Sequence, residues 1–182
     1  MNLPVSVEHL KTLLERHSLE GLLVTGYIDD GSTLRAGIRP QGRFGRFSAF
    51  WNEVYLEVGP VLLRFKAIAS YSHLLMEQVE KIECSFDIDP DDTFGVTSML
   101  RDLLPSGLDS VRIRQIDVYA DSDEPSEPGV VTAIGLATDQ GEYLFFDPLD
   151  INGIHVGPLQ SKELWLEWRA QRHLVKSYTL GI

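Results

Sequence analysis

The stretch from Val54 to Phe86 constrains the fold most, because apolar and polar residues alternate there in three short runs. Val54, Leu56 and Val58 share one face against Tyr55 and Glu57, and Gly59-Pro60 ends the run. Val61, Leu63, Phe65 and Ala67 then oppose Leu62, Arg64 and Lys66. A third run sets Ile82, Cys84, Phe86 and Ile88 against Lys81, Glu83, Ser85 and Asp87. Period-2 runs with one polar face are half-buried strands. Parallel strands would need longer crossovers and bury both faces, so the pattern predicts a three-stranded antiparallel meander. Cys84 falls on its apolar face and is expected to be buried.

Other elements are read around that sheet. Val7 to Leu19 has helical spacing through Val7, Leu10, Leu13, Leu14 and His17, with Ser6 as N-cap and Gly21 past the end. Gly21 to Ile28 reads as a strand, and Asp29-Asp30-Gly31 turns it into a hairpin with Ser32 to Ile38. Ser98 to Leu104 is a short helix, stopped at Pro105-Ser106-Gly107. A second meander begins at Val111. Its apolar phase slips by one residue between Ile113 and Ile116, which predicts a β-bulge near Arg114-Gln115. Val130 to Thr138 is a central strand, and Asp139-Gln140-Gly141 turns into Glu142 to Phe146. Ser161 caps a last helix expected to run through Tyr178, with Leu164, Trp165, Trp168 and Val175 near one face.

The 182 residues therefore predict a single α+β domain, residues 1–182. Its sheet is antiparallel and strongly curved, or two packed sheets, of about 7–9 strands, with an N-terminal helix, a short middle helix and a C-terminal helix.

Charge is uneven along the chain. The net charge is −11, yet residues 1–76 carry eight Lys/Arg against seven Asp/Glu, and residues 77–160 carry four against eighteen. An acidic surface repels nucleic acid and anionic lipid, so no double-stranded nucleic acid and no membrane partner is expected. It favours a basic protein partner. The candidate partner surface is Asp121, Asp123, Glu124 and Glu127, with Glu77, Glu80, Asp91 and Asp92. Met1-Asn2-Leu3-Pro4 lacks a signal-peptide pattern, no run approaches the about 18 apolar residues of a membrane span, and the lone Cys84 excludes a disulfide framework. A cytoplasmic location is the expectation, with the oligomeric state left open.

Three other clusters carry polar chemistry. Arg35, Arg39, Arg43 and Arg46 are interleaved with Phe44, Phe47, Phe50 and Trp51. Such a mixture can hold anions or single-stranded nucleic acid, although the rings can equally join the core. Asp87, Asp89, Asp91 and Asp92 fail the calcium-loop pattern, because Asp92 stands where a glycine and Ser98 where a glutamate is needed. Helix capping by Asp89 and Pro90 is the simpler account, and no metal or cofactor is expected. Asp147, Asp150 and His155 are the weak catalytic candidates, since a carboxylate can orient a histidine base, but Asp-Pro and Asn-Gly are also turn formers. No phosphate loop, nucleophile elbow or zinc spacing occurs.

The first functional expectation is a non-catalytic acidic protein-binding module. Its concrete form is an intracellular bacterial immunity or antitoxin-type protein, or an effector chaperone, that binds a basic protein. The alternative is a small-molecule-binding protein or hydrolase-like enzyme whose pocket lies in the curved sheet.

Overall fold

The structure is a computed structural model that describes residues 3–29, 46–90, 92–121, 128–150, 153–170 and 175–182. A two-residue strand, β1 (Leu3–Pro4), leads into helix α1 (Val7–Arg16). The Ser6 hydroxyl accepts the His9 N–H at 3.2 Å, which satisfies an orphan donor of the first turn as expected of an N-cap. Leu10 and Leu14, one turn apart, bury that face. The helix ends at Arg16, where His17 adopts an extended backbone, so Gly21 lies inside the next strand instead of closing the helix.

That strand, β2 (Leu19–Asp29), pairs antiparallel with the long β3 (Arg46–Val58). β4 (Val61–Ile68) and β5 (His73–Val79) complete the expected meander. Its third strand is His73–Val79 and not Ile82–Ile88. Residues 73–79 take the whole free edge of β4, from Ile68↔His73 to Leu62↔Val79, and leave no edge for the later run. Cys84 is consequently exposed, its thiol donating to the Phe86 carbonyl at 3.1 Å. The apolar residues of that run are used differently: Phe86 stacks at 4.4 Å on Phe50 of β3.

A backbone turn, with the Asp92 N–H donating to the Asp89 carbonyl, replaces the expected helix cap and delivers β6 (Thr93–Ser98) to the edge of β2. Helix α2 (Leu100–Leu103) is brief. β7 (Ile113–Asp121) carries the predicted bulge, its register to the later strand shifting between Ile113 and Gln115. The predicted strand Val130–Thr138 divides at Thr132 into β8 (Val130–Val131), which pairs with β5, and β9 (Ala133–Thr138), which pairs with β7. β10 (Tyr143–Asp150) and β11 (Gly153–Gly157) form a hairpin, and α3 (Leu159–Ala170) follows. The predicted C-terminal helix is too long. Residues 175–181 are strand β12 (Val175–Gly181), paired with β7 along its whole length, and Ser161 sits inside the helix instead of capping it.

Among the described residues there are twelve strands, more than expected, and the sheet is mixed. Its order runs β1-β5-β4-β3-β11-β10-β9-β7-β12, with β2 also on β3, β6 on β2 and β8 on β5. The one parallel pairing, Trp51 with Gly153, joins the first half to the second. The sheet curls so that Phe65 of β4 meets Phe146 of β10 edge to face at 5.2 Å. Leu56, Leu63, Met76, Ile116, Ile134 and Leu144 belong to the same core, together with Leu10 and Leu14 of α1.

The second half is covered on its other face as well. There Trp165 of α3 packs on Tyr119 and Phe145, with ring centroids 5.2 and 5.5 Å away. Every residue of β9 is therefore buried, and its sequence shows no alternation. No helix of the described residues is long and apolar enough to cross a membrane.

Candidate functional site

The β10–β11 hairpin brings two of the three catalytic candidates together. Asp147 and His155 are direct cross-strand partners, so their side chains leave the same face of the sheet. Asp150 also pairs in the hairpin, opposite Gly153, but its side chain lies outside the described residues. Gly153 has φ +115°, and a side chain there would collide with the Trp51 backbone of β3. Glycine thus permits the close approach that joins the two halves of the sheet beside the site.

β11 passes through Gly157-Pro158 directly into α3, which folds back over the hairpin. Ser161, in the first turn of α3, places Oγ 3.4 Å from His155 Nε2. A Cβ at position 157 would strike Ser161 Oγ and lie 2.8 Å from His155 Nε2, so the glycine keeps open the space in which the two groups face each other. Further along α3, Leu164, Trp165 and Trp168 form an apolar wall, and Leu149 of β10 completes a groove of about 540 Å³.

Burial pushes the Asp147 carboxyl above its usual range, and four effects oppose it in part: the Leu149 N–H, donating at 2.9 Å, the charges of His155 and Arg169, and the Trp165 indole N–H. Arg169, only 6% exposed, extends its guanidinium over the rings of Trp165 and Trp168, at 5.4 and 5.6 Å. Trp165 Nε1 and Arg169 Nε are buried without a formed hydrogen bond; the indole N–H is still near enough to Asp147 to draw its carboxyl down slightly. Unsatisfied buried donors are uncommon in folded proteins, and here two of them flank one groove.

On the same face of the second half-sheet, Asp117 of β7 is 3% exposed and accepts four hydrogen bonds. The donors are Lys162 Nζ and the Tyr143 hydroxyl at 2.6 Å each, Gln115 Nε2 at 2.8 Å and Thr179 Oγ1 at 2.9 Å. Burial raises Asp117, but those four donors outweigh it and hold the carboxyl below its ordinary value. The network fixes α3 over the sheet through Lys162 and thereby positions Ser161, its neighbour in sequence. The signal for it was the lone Asp within Ile116-Asp117-Val118, an apolar strand. Arg169 and Ser161 carried no comparable signal.

Of the eight residues of the proposed acidic surface, three are described with their side chains. Glu77 is consumed by an ion pair with Arg64, which also lies 3.6 Å from Glu53, a carboxylate that is 2% exposed and bonded by the Tyr55 hydroxyl at 2.8 Å. Glu80 is exposed just past β5, and Asp92 is half-buried in its turn. Asp121 ends β7, but its side chain is outside the described residues, as are Asp91, Asp123, Glu124 and Glu127. Of the basic and aromatic stretch, Arg35, Arg39, Arg43 and Phe44 also lie outside, and Arg46 is described only as backbone at the start of β3. Phe47 and Trp51 pack on the core and Phe50 on Phe86, so these rings do not form a free stacking platform. Among the described residues no three His, Cys, Asp or Glu side chains gather to hold a metal.

A second groove, of about 450 Å³, separates the first turn of α1 from β7 and β12. It is lined mainly by Val7, Val118, Ala120, Val130 and Leu180, with Glu8 as its titratable acid, and offers less chemistry. Comparison of the chain with protein-family models, with curated proteins and with solved structures finds no match.

Proposed function

We propose that the protein binds a small, uncharged organic ligand in the groove between the β10–β11 hairpin and α3. What carries this reading is the meeting of Asp147, His155 and Ser161 at one end of an apolar wall made by Leu149, Leu164, Trp165 and Trp168. Ligand sites are typically apolar clefts with a few convergent polar groups and a perturbed carboxyl, and this one has all three. Its polar end offers a carboxylate, an imidazole and a hydroxyl, which suits a neutral head such as an amide or ester. The chain's net charge of −11 disfavours anions. An aromatic ring of the ligand fits against the two tryptophans.

Two of the chain's three tryptophans line the groove, so intrinsic fluorescence reports its filling. Titration with neutral aryl amides, acetanilide first, is expected to give a saturable change and a raised melting temperature. Trp168→Ala, at a position 40% exposed, is expected to weaken both. A wild-type protein indifferent to the whole amide series would reject the groove as a ligand site.

The second reading is the acidic module that binds a basic protein, of the immunity or antitoxin type. It is favoured by the eighteen acidic and four basic residues in 77–160, with Glu80, Asp87 and Asp89 exposed. A cell-lysate pull-down at low and high salt tests it. Retention of a basic protein that is lost on reversing Asp121, Asp123, Glu124 and Glu127 supports the module; retention that ignores those charges refutes it.

A further inference from the structure

We infer that Ser161 and His155 form a nucleophile–base pair that takes the acyl group from an aryl ester held in the groove, with Asp147 as the positioning residue. This inference rests on the groove being a ligand site.

Four features of the chain support the pair. Ser161 Oγ and His155 Nε2 face each other at 3.4 Å, longer than a formed catalytic hydrogen bond but within the looseness of nucleophile–base pairs before substrate binds. Gly157, between them in sequence, leaves room for the pair, since a Cβ there would occupy the space both groups share. Asp147 is the cross-strand neighbour of His155, and its charge acts on the imidazole from a largely buried position, where attraction is less screened than in water. The location of Ser161 in the first turn of the twelve-residue helix α3 adds the positive end of the helix dipole beside an oxyanion.

The step balances with water as the second substrate. Ser161 Oγ bonds to the ester carbonyl carbon while its proton passes to His155 Nε2. The bond to the aryl oxygen then breaks, and His155 returns the proton to the departing phenolate. Water, deprotonated by His155, attacks the acyl-serine; the carboxylic acid leaves and Ser161 regains its proton. Ester and water become acid and phenol, with no oxidant, reductant or metal involved. The aryl group is selected by Trp165 and Trp168.

The test uses the full chain with p-nitrophenyl acetate, reading nitrophenolate release and mapping the acetylated residue by mass spectrometry. Acetylation is expected at Ser161. Ser161→Ala should abolish that mark and the nitrophenolate release that accompanies it, and His155→Gln should slow acylation by about 10²-fold or more. Asp147→Asn should lower the acylation rate by a larger factor than it weakens acetanilide binding, with part of the rate restored by Asp147→Glu. Unchanged circular dichroism of each variant ensures that lost rate is not lost fold. Acetylation confined to other residues, or a rate that survives Ser161→Ala, overturns the pair. Acetanilide distinguishes the two levels: saturable binding without Ser161 acylation retires the chemistry and leaves the groove, whereas absent binding retires both.

Discussion

Lys162 of α3 sets its ammonium 2.6 Å from the carboxylate of Asp117 on β7, across 45 residues of sequence, and this contact ties the helix to the sheet beside the candidate site. Both side chains are largely buried, at 20% and 4% exposure. Removing one partner of such a pair leaves the other charge uncompensated, at a cost of about 3–5 kcal/mol.

Asp117→Asn is therefore expected to destabilise the protein by about 3 kcal/mol near neutral pH, measured by urea unfolding. The pH dependence has a definite sign. Burial alone would raise Asp117, but its four donors lower it, so the ionised form belongs to the folded state. Its contribution is complete above the unfolded carboxylate value of about 4 and disappears as pH falls through the lower folded value. The difference between wild type and Asp117→Asn should shrink over that acid range. A gap that stays constant into acid would mean the carboxylate charge contributes nothing.

Trp165 closes the outer face of the second half-sheet by packing edge to face on Tyr119 and Phe145. Trp165→Ala is expected to cost about 3–5 kcal/mol, since α3 cannot collapse into the space of an indole without losing the Lys162–Asp117 contact. Chemical unfolding gives the value. A loss under about 1 kcal/mol would show that the helix is only loosely seated on the sheet.

Gly135 of β9 lies beneath Tyr143, whose hydroxyl crosses it to reach Asp117 at 2.6 Å. A methyl group at 135 would overlap that hydroxyl, so Gly135→Ala should cost about 1–3 kcal/mol by expelling Tyr143 from the network. A double-mutant cycle with Tyr143→Phe checks this. The two changes should be less than additive, because each removes the same hydrogen bond. Additive losses would place the strain of Gly135→Ala elsewhere.

Local features of this fold were legible in the sequence, and long-range ones were not. The Ser6 cap and the bulge near Arg114-Gln115 depend on residues within a few positions of one another, and both appear in the structure. Asp147 and His155 could be singled out for the same reason, being two strands of one hairpin. Ser161, Arg169 and the Asp117 network required α3 to fold back over the sheet, and no sequence period encodes that contact. The third strand of the meander was misplaced because Lys81–Ile88 and His73–Val79 both follow β4, and only the pairing shows which one takes its edge. The C-terminal helix was extended too far because Trp165, Trp168 and Val175 fit a helical face, although Val175–Gly181 pairs with β7. Its hydrogen bonds to a strand more than fifty residues earlier outweigh local propensity.

The β4–β5 turn holds three successive non-glycine residues in the left-handed region, Ala69, Ser70 and Tyr71, at φ 50°, 56° and 64°. Each costs about 1–2 kcal/mol relative to right-handed backbone. The turn is held by Ser72, whose N–H donates to the Ile68 carbonyl at 3.1 Å and whose hydroxyl donates to the Ala69 carbonyl at 2.8 Å. Ser70 itself is exposed, so its side chain can be removed without opening the core. Ser70→Gly should relieve the local strain, while the greater freedom of glycine in the unfolded chain offsets part of the gain. A net stabilisation of about 0.5–1 kcal/mol is expected, read as a higher urea midpoint with an unchanged slope. A lower midpoint would mean that the turn is right-handed at Ser70 in solution, since only there does glycine bring entropy loss without relief of strain.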